Sequence, residues 1–118
     1  MSAPAESLLS DAEYRRLSHE LLSLVERQVD AWLDEDLIDI DTHRSGGLIE
    51  LTFPNGSKII LNTQPPLHEV WMAARGGGYH FRWDGQAWRD TRDMVEFLQR
   101  LSGEASAQAG LALNFQRG

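Results

Sequence analysis

Apolar residues recur every three or four positions through the first third of the chain. This spacing predicts an amphipathic helix of about six turns that ends near Asp34. Ser10 and Glu13 have the spacing of a capping box, in which the hydroxyl caps a backbone amide and the carboxylate reaches back. We expect residues 1–9, which precede this signal, to be frayed. The apolar positions are Tyr14, Leu17, Leu21, Leu24, Val25 and Trp32.

The middle of the chain alternates apolar and polar residues, which is typical of strands buried on one side. Asn55-Gly56 is a hairpin signal, because both residues tolerate positive φ, and Pro65-Pro66 interrupts the alternation. The predicted strands are Ile38–Arg44, Leu48–Phe53, Ser57–Asn62, Leu67–Ala74, Tyr79–Trp83 and Ala87–Arg89.

A second helix is predicted after the last strand. Asp90 or Thr91 is its expected cap, Gly103 its expected end, and its apolar stripe contains Met94, Phe97, Leu98 and Leu101. Residues 104–110 have the composition of a linker within a tail, 104–118, whose apolar segment Leu111–Phe115 could dock on the body. The order of elements predicts a single α+β domain: a two-layer sandwich of one antiparallel sheet of five to six strands with two helices packed on one face.

The fourth predicted strand indicates which residues face away from the helices. His68, Val70, Met72 and Ala74 share one side, and Glu69, Trp71, Ala73 and Arg75 share the other. The second set carries the charges, so we expect it on the open face, which is the side of the sheet that no helix covers. Trp71 would stand there among its expected neighbours on this face of the sheet, which are Lys58, Ile60, Asn62, His80 and Arg82. It is either an interface anchor or a shield for its cross-strand neighbours.

The net charge of −7 is concentrated at the start of the chain. Residues 1–41 contain eleven acids against three arginines, whereas residues 42–118 contain seven acids against eight bases. This imbalance argues against nucleic acid as a partner and favours cations or basic protein surfaces. No apolar run reaches the length of a membrane span, and the first residues lack a targeting pattern, so we expect a cytoplasmic protein.

Seven acids and one arginine lie between Glu26 and Asp41. Like charges at four-residue spacing, and acids at the negative end of a helix, both oppose folding. The chain has no cysteine, so a metal here would bind carboxylate oxygen or imidazole, with His43 as a candidate extra ligand. No fixed ligand spacing is visible, which predicts weak binding of hard cations with water completing the shell. The alternatives are a solvated acidic face and a contact surface for a basic partner.

The run from Asn55 to Phe81, NGSKIILNTQPPLHEVWMAARGGGYHF, resembles the frataxin family, particularly its bacterial branch. The similarity extends from about Asp11 to Leu101 and includes the acidic end of the first helix. The matching positions within the run are Asn62, Gln64, Pro66, Trp71, Ala73 and Gly77 to Phe81.

The resemblance implies a single frataxin-like domain that binds iron (Fe²⁺ or Fe³⁺, with other divalent cations as alternatives) and either regulates iron–sulfur cluster assembly or donates iron to it. It implies docking on a cysteine desulfurase and the assembly scaffold. We expect no enzymatic activity, and a monomer that metal can assemble into oligomers. The metal positions it implies are Asp11, Glu13, Glu26, Asp30, Asp34, Asp36, Asp39 and Asp41, and we add Glu35 to the expected set. The expected partner-binding residues are Trp71, Asn62, Gln64, Lys58 and His80.

Overall fold

The computed structural model describes residues 9–117 and begins with the predicted long helix. Helix α1 spans Asp11–Asp34, and its start is the predicted capping box: Glu13 N–H donates to Ser10 Oγ at 3.1 Å, and Ser10 N–H donates to Glu13 Oε1 at 3.2 Å. Leu9 packs against the core. The expected fraying of residues 1–8 lies outside the described part of the chain.

Six antiparallel strands follow in a simple meander, in which each strand pairs with the next along the chain. This confirms the predicted single antiparallel sheet. The strands are β1 (Asp41–Ser45), β2 (Leu48–Thr52), β3 (Lys58–Gln64), β4 (Glu69–Ala74), β5 (Gly77–Trp83) and β6 (Trp88–Asp90).

Most strand limits lie within two residues of the predicted ones, with β5 starting at Gly77 instead of Tyr79, but β1 and β4 each begin two or more residues later than the alternation predicted. The first starts at Asp41 instead of Ile38, because Asp41 pairs with Thr52, the last residue of β2, and residues 38–40 run past the end of that strand. The fourth starts at Glu69 instead of Leu67. Pro65–Leu67 forms a 3₁₀ turn, and His68 then adopts a left-handed conformation with φ 52°. Neither Leu67 nor His68 can therefore pair as part of β4.

One hydrophobic core lies between the two helices and one face of the sheet, as the two-layer prediction required. Tyr14, Val25 and Trp32 bring α1 onto the sheet, and Phe97 and Leu101 do the same for the second helix. Ile49, Leu51, Ile59, Leu61, Val70, Met72 and Phe81 supply the sheet side of this core. No helix within residues 9–117 is long and apolar enough to cross a membrane.

The predicted limits of the second helix are wrong. Helix α2 spans Phe97–Ala109 and is capped by Glu96, whose side chain accepts hydrogen bonds from two backbone amides of the first turn. Met94 precedes the helix with φ 66° and is 57% exposed. Gly103 lies inside the helix, because the following residues are good helix formers and Ala105 packs in the core. The predicted linker is therefore mostly helical.

The predicted docking of the C-terminal segment is confirmed. Leu113 and Phe115 are buried, and the Phe115 ring meets the Trp32 ring edge to face at 4.7 Å between centroids. Two serines of α2 fix the backbone of this segment: Ser102 Oγ accepts from Phe115 N–H at 2.8 Å, and Ser106 Oγ accepts from Leu113 N–H at 2.8 Å.

We expect Phe115→Ala to lower the free energy of unfolding by about 3 kcal/mol, because it empties a buried aromatic site against Trp32. Urea titration monitored by circular dichroism would measure this change. Asn114→Ala is the matched control, since Asn114 is exposed between two buried neighbours, and it should change stability by less than about 0.5 kcal/mol. Equal effects of the two substitutions would contradict the docking.

Candidate functional site

The buried hydroxyl of Tyr14 anchors the N-terminal part of α1 to the sheet. It donates to the carbonyl of Glu69 at 2.6 Å and accepts from the Gln64 amide at 3.0 Å, which joins the helix to the adjoining ends of β3 and β4. Burial raises the pKa of the Tyr14 hydroxyl, so the phenol remains a donor across the physiological range.

The C-terminal end of α1 closes with a Schellman motif. Leu37 N–H donates to the Trp32 carbonyl at 2.9 Å, and Asp36 N–H donates to the Leu33 carbonyl at 3.0 Å. Asp36 occupies the left-handed position of this motif with φ 57°. Glycine is the usual residue there because it has no Cβ to clash. An exposed aspartate thus stands where folding alone would favour glycine.

The acids around this end of α1 have no positive partners in the part of the chain that the structure describes. The last turn contains no basic residue, although the negative end of the helix dipole favours cations there. Within residues 9–117, six exposed carboxylates make no side-chain hydrogen bond or ion pair. We call these six residues the acidic ridge: Asp30, Asp34, Glu35, Asp36, Asp39 and Asp41.

The other three predicted metal positions have protein partners. Asp11 Oδ1 lies 2.7 Å from Nε2 of His68, whose ring stacks on Tyr14. Glu13 belongs to the capping box of α1. Glu26 forms an ion pair with Arg44 of β1, which joins α1 to the edge of the sheet. These three acids contribute to the position of the helix, and the acidic ridge excludes them.

The acidic ridge is an electrostatic surface without a closed coordination site. In the described part of the chain, no three acidic or histidine side chains converge closely enough to hold one metal ion. His43 lies on the open face opposite Glu50, on the same side of β1 as Asp41. Separate carboxylates of this kind attract hard cations and leave most of the ion's ligand positions to water.

The open face carries Trp71 at its centre, as the alternation predicted. Trp71 pairs with Asn62 on β3 and with His80 on β5, so these residues form one row across three strands. The Trp71 and His80 rings stack almost parallel, with 4.1 Å between centroids and 6° between planes. Trp71 can therefore serve either as an interface anchor or as a shield for its cross-strand neighbours, because the indole covers His80 and remains only half-buried.

Glu69 and Arg82 belong to the same surface and were not among the predicted partner-binding residues. Trp71 Nε1–H donates to Glu69 Oε1 at 2.7 Å, and Arg82 Nε–H donates to Glu69 Oε2 at 2.8 Å. Although it lies on the open face, Glu69 is 6% exposed. Its two-residue spacing from Trp71 shows the shared face in the sequence, but the covering of its carboxylate depends on side chains from β5.

The remaining predicted partner-binding residues lie towards the two ends of β3. Lys58 forms an ion pair with Glu50, and its hydrogen bond lowers the pKa of that carboxyl. Gln64 pairs with Glu69 at the start of β4. The five predicted residues therefore lie on one face of the sheet. The charge of Lys58, at the start of β3, is already paired with that of Glu50.

The two-layer architecture, the acidic ridge and the tryptophan-bearing open face define a small α+β sandwich that leaves one side of its sheet uncovered. Residues 7–111 match the family model of the frataxin-like domain. The chain belongs to the frataxin family.

Similar proteins cover nearly all of the described chain. The iron-sulfur cluster assembly protein CyaY of Burkholderia mallei (strain SAVP1) is 50% identical over 107 residues, which are 91% of this chain and 98% of that protein. The frataxin of Psychromonas ingrahamii superimposes with a TM-score of 0.81 at 32% identity, covering 92% of this chain and all of that one. A trimeric yeast frataxin complexed with ferrous iron has a TM-score of 0.59 at 26% identity, covering 92% and 99%.

We expect Asp36→Gly to raise the free energy of unfolding by about 1 kcal/mol in metal-free buffer, because glycine relieves the left-handed strain. Asp36→Asn removes the same charge and keeps the Cβ atom, so the difference between the two variants isolates the backbone contribution. Urea titrations at low and high salt would separate it from charge repulsion, which salt screens. Equal stability of the two variants would contradict the assigned strain.

Proposed function

We propose that this protein binds iron weakly on the acidic ridge and acts in iron–sulfur cluster assembly. The observation that carries the proposal is the set of six exposed carboxylates from Asp30 to Asp41, at and beyond the negative end of α1, that have no partner among residues 9–117. Carboxylate oxygen suits Fe²⁺ and Fe³⁺, and other hard divalent cations can compete for it. The role in assembly is supported by the Burkholderia mallei relative, which is 50% identical and is named an iron-sulfur cluster assembly protein.

The strained cap supports the metal-binding part of this proposal. Asp36 keeps a negative charge at a position where glycine would be more stable, and the dipole places a negative potential at the same point. A bound cation would relieve both the repulsion among neighbouring carboxylates and the mismatch with the dipole. The features that destabilise the metal-free protein are thus the same ones that attract a cation to this end of α1.

The open face supports docking on a cysteine desulfurase and its scaffold. Trp71 is a half-buried aromatic residue in the middle of a flat surface, flanked by Asn62 and His80. Large aromatic side chains in such positions supply much of the binding energy of protein interfaces. The acidic ridge would contribute long-range attraction to a basic surface on the partner. We place this activity in the cytoplasm, with a regulatory or iron-donating role and no catalysis.

The same observations support an oligomeric response to metal. Six uncompensated carboxylates keep copies of the chain apart by like-charge repulsion in metal-free solution. Iron on the ridge would reduce this repulsion. The yeast relative described as trimeric and complexed with ferrous iron supports the same behaviour. We therefore expect a monomer without metal and larger assemblies with it.

A second candidate function is an acidic interaction module whose metal binding is incidental. The observation that favours it is the failure of any three acidic or histidine side chains in residues 9–117 to converge on one position. In this case the acidic ridge would serve as the contact with a basic partner, and iron would bind only as a counterion.

Fe²⁺ or Co²⁺ added to the labelled protein should selectively broaden the amide NMR signals of residues 30–41, because paramagnetic ions on the ridge act over short distances. The triple variant Asp30→Asn, Asp34→Asn, Asp36→Asn should weaken the apparent affinity by about tenfold or more, since affinity follows the number of charged ligands.

The matched control neutralises three carboxylates that already have protein partners: Glu20→Gln, Glu50→Gln and Asp93→Asn. It changes the net charge by the same amount and should keep metal affinity within about twofold of the unmodified protein. Broadening centred outside residues 30–41, or equal losses in both triple variants, would count against a metal site on the acidic ridge.

Desulfurase activity measured with this protein should change further when iron is added, because the ridge and the open face act on the same partner. The ridge variant should lose the iron-dependent part of the change. Trp71→Ala should weaken binding to the desulfurase by about tenfold or more, as removal of an interface anchor does. It should therefore reduce both the change in activity seen without iron and the further change that iron causes. An iron response that persists in the ridge variant would favour the interaction-module alternative, and an unaltered response in Trp71→Ala would exclude the open face as the contact.

A further inference from the structure

Glu69 is a carboxylate almost completely withdrawn from water on a surface that no helix covers. It begins β4 and is 6% exposed, with Arg82 directly opposite on β5 and Trp71 two residues further along the same face. Burial of a carboxylate is costly unless charge and hydrogen bonds compensate it. The compensation here comes from side chains of the open face itself.

Each oxygen of the Glu69 carboxylate has its own donor. Oε1 accepts from Trp71 Nε1–H at 2.7 Å, and Oε2 accepts from Arg82 Nε–H at 2.8 Å. Nδ1 of His80 lies 3.8 Å from Oε1, and the His80 ring stacks on the indole. The indole is therefore held along one edge by a charge-assisted hydrogen bond and over one face by an imidazole.

A tryptophan held in this way has lost most of its rotamer freedom before a partner arrives. Ordering a mobile side chain at an interface reduces affinity, and fixing it beforehand removes this cost. Trp71 is oriented by His80 and Glu69, and the Glu69 carboxylate is itself held by the guanidinium of Arg82. The arrangement is better suited to presenting the indole than to hiding it.

We propose that Glu69 is a positioning residue that fixes the Trp71 indole in the orientation a protein partner meets. This inference rests on the proposed docking through the open face. It assigns Glu69 no direct contact with the partner: its effect on binding passes through the indole, with Arg82 holding the second carboxylate oxygen.

The first test observes the indole itself, without any partner. The Trp71 Nε1–H signal in a ¹⁵N spectrum should exchange slowly with water, and Glu69→Ala should shift it and make exchange fast. Glu69→Gln keeps an acceptor oxygen for the indole and should preserve slow exchange. Glu50→Ala is the control, since Glu50 is paired with Lys58 on the same face, two strands away. An indole signal that is the same in Glu69→Ala and the unmodified protein would overturn the proposal.

The second test is a double-mutant cycle on affinity for the cysteine desulfurase. Glu69→Ala should weaken binding by about two- to tenfold, the range expected for ordering one side chain at an interface, and Glu69→Gln should restore most of it. In a Trp71→Ala background, Glu69→Ala should have no further effect. The same loss in both backgrounds would make Glu69 a contact in its own right and overturn its positioning role.

The cycle also separates this proposal from the docking on which it rests. Unchanged affinity in Trp71→Ala would overturn docking through the open face, and the functional role of Glu69 with it. A loss of affinity in Trp71→Ala with no loss in Glu69→Ala would leave the docking intact and overturn the positioning role alone. Unfolding curves for each variant confirm that the comparison is made between folded proteins.

Discussion

Burial of one sheet face only is the constraint on which the other features of this protein depend. Both helices lie on that side, and their apolar stripes complete a single core. The N-terminal part of α1 is anchored in addition by the Tyr14 hydroxyl, which bonds to the ends of two strands. With one side of the sheet and the outer end of α1 left in water, the chain has two surfaces available for recognition, and they differ sharply in charge.

These two surfaces treat their carboxylates in opposite ways. On the acidic ridge, Asp36 and its neighbours remain exposed without partners, even where the Schellman motif would favour glycine. On the open face, Glu69 is covered and both of its oxygens accept hydrogen bonds. The first arrangement leaves charge free to attract an ion or a basic surface. The second uses charge to hold an aromatic side chain still.

Much of this architecture could be predicted, because periodic burial leaves a direct trace in the sequence. The capping box, the length of α1, the hairpin at Asn55-Gly56 and the side on which Trp71 lies all follow from local patterns. The start of α2 did not, since Met94 is apolar yet adopts positive φ, and Gly103 is tolerated inside a helix that tertiary packing extends. The covering of Glu69 also escaped prediction, because alternation assigns a face to each residue but does not show which neighbours fold over it.

The contact between Phe115 and Trp32 links the end of the described chain to the cap of α1. Trp32 packs against Phe115 through its ring, and its carbonyl accepts the hydrogen bond that closes the Schellman motif. The two residues lie far apart in sequence, so their contact belongs to the slow, non-local part of folding, in which distant segments must first be brought together. The last described residues therefore support the turn that presents the acids of the ridge, and loss of that segment would remove packing from beneath the cap of α1.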